Sequence, residues 1–209
     1  SNRLSKHTDD TSSSNSVAGV FCMETTMKHT ILGVGCLLLM GLSLQGCGLF
    51  KSDLDKLLET KECQECDLSG ANLEGASLEW VNMTGANLTG ANLTGAYLTG
   101  ANLKKANLFG ANLEGAGLMD ANLERANLTG ANLTGAYLIE ASLSNANLTK
   151  ATLTGTDLVG AQLTKANLTN TDLTKANLEY SINFTTADTT GATFCRTIMP
   201  DGSMNKSGC

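Results

Sequence analysis

Two cysteines three residues apart, Cys63 and Cys66, are the first side chains in the sequence that could do chemistry together. Cys-x-x-Cys beside a βαβ pattern is a thiol–disulfide exchange motif, in which one thiolate attacks and the other resolves. No strand–helix alternation surrounds this pair, so redox catalysis is not the reading. Cys63 and Cys66 together with Cys195 and Cys209 would supply four thiolates for zinc. The two pairs, however, flank opposite ends of a long regular stretch. The two histidines, His7 and His29, both lie near the N-terminus. Beyond them the usual general base is missing. Carboxylates are scattered rather than paired, and the glycines recur at turn positions instead of forming a phosphate-cradling loop. No catalytic residue, metal, cofactor or small-molecule substrate is expected. The net charge of -6 also argues against a phosphate-binding surface, and hence against nucleic acid as a ligand.

A third chemical signal lies upstream. Residues 1–26 are polar and aperiodic and read as a disordered or misassigned upstream segment, with Met27 the better start. Lys28 is followed by a charge-free apolar run at 31–44, whose 14 residues are too few for a spanning helix and suit a signal-peptide core. That run ends in Leu44-Gln45-Gly46-Cys47, which resembles the lipobox of bacterial lipoproteins. The resemblance implies cleavage after Gly46 and acylation of Cys47, so that residues 27–46 are a signal peptide and Cys47 begins the mature chain. More than one acyl chain on one residue anchors firmly, where a single chain would be marginal. Gly48 in place of Asp favours the outer over the inner membrane by the enterobacterial sorting pattern. The alternative is an ordinary secretory signal and a secreted or periplasmic protein. In an exported chain the four remaining cysteines point to disulfides, with three connectivities open. Proximity in sequence favours Cys63–Cys66 and Cys195–Cys209.

The stretch between them is a repeat. Residues 66–180 divide into 23 consecutive units of five, with Leu at the centre of 22 and Met83 in the other. Two places before the centre stands Ala in 19 units, the exceptions being Cys66, Val81, Thr156 and Thr171. The residue before the centre is Asn in 13 units and the residue after it Thr in 11. A period of five fits neither a helix, whose leucines would wander round the surface, nor a continuous strand, whose leucines would alternate faces. Each unit must therefore be one short extended side and a turn, winding into a solenoid.

This pattern is similar to that of the pentapeptide repeat family. The resemblance implies an all-β solenoid, a right-handed quadrilateral parallel β-helix with four units per coil. The regular units then make nearly six coils and, at about 4.8 Å per coil, a rod of roughly 30 Å. Leu fills the interior beside the small Ala, while Asn and Thr face outward and form polar ladders.

Both ends of a solenoid need caps. Ser52 and Asp55 form a capping-box pattern, and Leu54, Leu57 and Leu58 make one helical face. Residues 47–62 therefore read as a tether and a short N-terminal capping helix, and residues 63–200 as the β-helix. After Leu178 the register slips by one, placing Phe184, Phe194 and Met199 at the centre phase of a wider closing coil. Pro200-Asp201-Gly202 is a turn that stops the winding, and residues 201–209 are a tail. The end segments TKECQECDLSGANL and GATFCRTIMPDGSMNKSGC resemble those of exported, particularly cyanobacterial, members of the family.

With four units per coil, residues 20 apart share a face. Two faces are bland ladders, one of Asn87, Asn107, Asn127, Asn147 and Asn167, the other of Asn72, Asn92, Asn112 and Asn132. A third carries a weak basic stripe of Lys105, Arg125 and Lys165 around Asn145. The fourth collects Trp80, Tyr97, Met119, Tyr137, Ile139, Val159 and Tyr180, with Gly117 between the two tyrosines; Phe109 alone lies elsewhere. An apolar strip of this kind marks a protein partner or self-association more often than chance does; the alternatives are cover by the N-terminal leader segment or the tail of the same chain, and no role. The function expected is a non-enzymatic, envelope-anchored structural or protein-interaction module. The alternative is the DNA-mimicking, gyrase-binding branch of the family. The 11 acidic and 7 basic residues of 66–200 carry far less charge than DNA.

Overall fold

The computed structural model describes residues 52–209. Residues 66–180 wind into coils whose successive turns pair as parallel bridges, each residue with the one 20 further on, as in Asn87↔Asn107 and Asn107↔Asn127. Four units therefore make one coil. The sequence dictates this through its backbone accounting. In a representative unit the Ala91 N–H closes the turn on the Leu88 carbonyl at 3.0 Å. Asn92 donates to Ala71 of the coil before at 2.9 Å, and Leu93 donates to Asn112 of the coil after at 2.7 Å. The left-handed Gly95 donates to Glu114 at 2.8 Å. The remaining N–H, on Thr94, is taken by Asn92 Oδ1 at 3.2 Å, and Thr94 Oγ1 donates to the same oxygen at 2.6 Å. Asn before the centre is thus the acceptor for the one backbone donor that the coils leave over, an Asx-type turn. Asn side chains also bond one another between coils, as Asn127 Nδ2 donates to Asn107 Oδ1 at 2.9 Å.

The centre leucines and their alanines fill the interior. Leu88 to Leu153 are fully buried at every centre, each worth about 1.5–3 kcal/mol of apolar burial. Thr156 and Thr171, the polar exceptions at the Ala phase, are also buried. Their hydroxyls donate back to the Leu133 and Leu148 carbonyls at 2.7 and 2.8 Å, so no donor is stranded. Thr197 repeats the device against Leu173 in the last coil.

The N-terminal cap is helix α1, Asp53–Thr60, with the full capping box between Ser52 and Asp55. Leu57 is fully buried and Leu54 packs against the core, but Leu58 is exposed, which corrects its place on the apolar face. The cap also satisfies the open lower edge of the first coil. Asp53 Oδ2 accepts from the Asp67 N–H at 2.7 Å, and Lys61 Nζ donates to the Ser77 carbonyl. Cys63 and Cys66 are buried beside it and joined by a disulfide.

At the far end the bridge spacing changes from 20 to 21, from Gln162↔Ile182 to Asn167↔Asp188, and the extra residue is absorbed around a 3₁₀ turn, Phe184–Thr186. Phe184 and Phe194 meet edge to face at 6.3 Å in the closing coil. Beyond Pro200 the chain turns back. Strand β1, Thr197–Ile198, pairs antiparallel with β2, Met204–Asn205, so the tail is a hairpin arm. The Cys195–Cys209 disulfide holds its end. Cys47 and the proposed signal segment lie outside the described residues.

Candidate interaction face

Three faces follow the Asn rule and one departs from it. Before the centre that face runs Ser77, Tyr97, Gly117, Tyr137, Asp157 and Asn177, joined coil to coil as one line of bridges. Just after the centre stand Met119, Ile139 and Val159. At its corner Trp80 and Tyr180 adopt left-handed backbone, φ 59° and 58°. The corner residue of every unit takes this conformation, Gly at many corners and Lys105, Asp120 or Arg125 at others, so it belongs to the coil rather than to this face. The structure thus brings Trp80, Tyr97, Met119, Tyr137, Ile139, Val159 and Tyr180 onto one side. Trp80 and Tyr180 are 74% and 71% exposed, Tyr97 and Tyr137 57% and 53%. Phe109, on the opposite face, is 51% exposed.

Trp80 leans over Gly100 of the next coil, where a Cβ would stand only 2.2 Å from its ring. A side chain at that position would displace the indole from this place. Nothing comes nearer to a Cβ at Gly117 than the Ala96 carbonyl oxygen at 4.0 Å, so the space between Tyr97 and Tyr137 is open.

Two features of the face were not read from the sequence. Its charged residues are all acidic: Glu79, Asp120, Glu140, Asp157 and Glu179. Among the described residues none of these is in an ion pair. Lys104–Glu124 at 2.7 Å and Arg125–Glu124 at 3.6 Å lie on the adjacent basic face and partly neutralise it. The second feature is a row of unused donors. Where Ser77, Tyr97, Gly117 and Tyr137 replace Asn, the N–H groups of Glu79, Thr99, Met119 and Ile139 have no protein acceptor among the described residues. Elsewhere in the regular repeats the same gap opens at Ser144, Thr154 and Thr164, never at four successive coils. The signal was the loss of Asn before the centre, which acquires meaning only once the Asx bond is seen.

The polar faces carry the structural carboxylates. Asp67 is held below the ordinary 3.8 chiefly by hydrogen bonds from Ser69, and Asp188 by those from Thr190. For Asp172 burial pushes upward, but bonds from Thr174 and Thr154 outweigh it and the net direction is down. A depressed folded value means stability that is fully present above 3.8 and lost as pH falls through the folded values. The melting temperature should therefore drop below about pH 4. Variant D67N/D172N/D188N keeps the turn acceptors and should flatten that acid limb; superimposable melting–pH curves would contradict this.

Among the described residues no group of three His, Cys, Asp or Glu side chains is placed to hold a metal ion. A cavity of about 410 Å³ at the C-terminal end is lined by Lys175, Cys195, Arg196, Lys206 and Cys209.

Comparison with known proteins matches the family model for pentapeptide repeats in eight copies, at residues 62–100, 76–115, 86–125, 116–155 and 141–179. No curated protein matches the chain. Among solved structures, HetL, a pentapeptide repeat protein involved in heterocyst differentiation regulation from the cyanobacterium Nostoc sp. strain PCC 7120, is 32% identical. That match covers 69% of this chain and 78% of HetL, with a TM-score of 0.48. A pentapeptide repeat protein of the Arabidopsis thaliana thylakoid lumen is 35% identical over 47% of this chain and 66% of its own, TM-score 0.43. QnrB1, a plasmid-mediated fluoroquinolone resistance protein, is 22% identical over 62% and 79%, TM-score 0.28.

Proposed function

Because the chain belongs to the pentapeptide repeat family, we propose that it is a non-enzymatic interaction module of the bacterial cell envelope, tethered through lipid on Cys47 and docking a protein partner along its aromatic face. The observation that carries this reading is the gathering of Trp80, Tyr97, Met119, Tyr137, Ile139, Val159 and Tyr180 on one side of a surface otherwise built of Asn and Thr. Coil-to-coil hydrogen bonds fix the backbone beneath that face, so docking orders little of the chain and loses little affinity to entropy. The lipobox-like Leu44-Gln45-Gly46-Cys47 supports the anchor, with the outer membrane favoured and a secreted or periplasmic protein as the alternative.

Replacing Met119, Ile139 and Val159 by Ser should leave the melting temperature within a few degrees, because these side chains stand outside the core. The same variant should elute at lower mass than the parent in native extracts. Equal elution at equal solubility would contradict the interface. Growth with a clickable fatty acid should label the parent in the envelope and leave Cys47→Ala unlabelled. An unlabelled cytosolic protein that binds gyrase would favour the DNA-mimicking role instead.

A further inference from the structure

We propose that the aromatic face takes a cationic peptide segment of its partner, with a Lys or Arg side chain seated over Gly117 between Tyr97 and Tyr137. This rests on the reading of the face as a partner surface and names the partner's chemistry. Three observations converge on it. Tyr97, Gly117 and Tyr137 are successive members of one line of bridges, and the space above Gly117 is open. The two tyrosines stand two coils apart, about 10 Å at the usual strand spacing, on either side of Gly117. A cation between aromatic rings is attracted by their faces.

The charge of the face selects the same ligand. Five carboxylates and no Lys or Arg lie along it, with Asp120 in the coil of Gly117 and Glu140, which leans toward Gly160, in the coil of Tyr137. Such a one-sign surface steers cations and repels anions. A second copy docked face to face would set the same carboxylates against one another, which disfavours a symmetric dimer through this surface.

The unused backbone donors supply the third match. On the Asn faces the equivalent N–H is bonded by an outward side-chain oxygen, so here Thr99, Met119 and Ile139 present theirs toward the face. A main-chain carbonyl of a bound peptide is an acceptor for such a donor. At 3.3–3.6 Å per residue, about four to five residues reach across the three coils from Trp80 to Tyr137. One ligand class thus answers the open space, the carboxylates and the donors together.

The only tryptophan of the chain, Trp80, lies on this face and reports occupancy. The full chain is titrated with a capped peptide of alternating Arg and Val, with its Glu/Val counterpart, and with a soluble β-linked oligosaccharide. The Arg/Val peptide is expected to shift Trp80 emission to the blue, more weakly as salt rises, and the other two to leave it unchanged. Gly117→Asn puts the family's usual residue at that position and returns an acceptor to the Met119 N–H. It should melt at or above the parent's temperature and bind the Arg/Val peptide at least tenfold more weakly. Variant D120N/E140Q should weaken binding and flatten its salt dependence. Equal response to the Glu/Val peptide or the oligosaccharide, or parental affinity in Gly117→Asn, would overturn the cationic assignment. That result leaves the partner face standing if the M119S/I139S/V159S variant still elutes at lower mass than the parent. If parent and variant elute alike, both readings fall.

Discussion

Leu123→Asp is expected to cost more stability than the coils around it can supply, splitting the melting transition in two or abolishing the folded state. Leu123 is the centre of the twelfth of 23 units and fully buried, with leucines of adjacent coils above and below. Deleting such a side chain costs about 2–5 kcal/mol, and lodging a carboxylate there adds several more. Small domains commonly hold only about 5–15 kcal/mol in total. In a solenoid each coil touches only its neighbours, so the damage divides the stack rather than spreading through it. Calorimetry of the full chain distinguishes the outcomes. A single transition at the parental temperature would show that Leu123 does not point inward.

Leu57→Ala should cost about 2–5 kcal/mol, although Leu57 lies outside the repeats. A helix of eight residues has no stability of its own in water, so α1 persists through what it buries. Its fully buried side chain is Leu57. Loosening the helix also withdraws Asp53 from the Asp67 N–H and Lys61 from the Ser77 carbonyl, reopening the lower edge of the first coil. Exposed edges of that kind associate, so light scattering should detect larger species. Leu58→Ala, one residue on, should change stability by less than about 0.5 kcal/mol because Leu58 already faces solvent. Equal effects of the two substitutions would contradict the cap's geometry.

Most of the fold was legible because one physical constraint recurs in every unit. Leu at the centre and Ala two places earlier state which side chains point inward, and the mismatch of five with 3.6 and 2 forces the turn. The cap was legible in Ser52 and Asp55, but Leu58 was not separable from Leu57 by helical period alone. What escaped were side chain–backbone bonds between residues far apart in sequence, across most of a coil or more. Thr156 bonds the carbonyl 23 residues earlier, and Asp53 bonds an amide 14 residues later. Such pairs have no local signature until the coil's register is fixed. The same holds for the interaction face. Its aromatic members were visible from spacing of 20, whereas the row of free N–H groups beside Tyr97, Gly117 and Tyr137 became visible only against the Asn bonds of the other faces. The tail was read as the end of winding; the two-residue strands β1 and β2 are too short to carry a period.

The central claim is that a partner covers the aromatic face in the cell. Hydroxyl-radical footprinting of intact cells against the purified full chain tests it most directly. Met119, Tyr97 and Tyr137 are all exposed on that face, while Phe109 and Met204, 51% and 58% exposed, serve as controls away from it. The account predicts that the first three lose reactivity in cells while Phe109 and Met204 keep theirs. Equal reactivity of all five in cells and in the purified protein would contradict it.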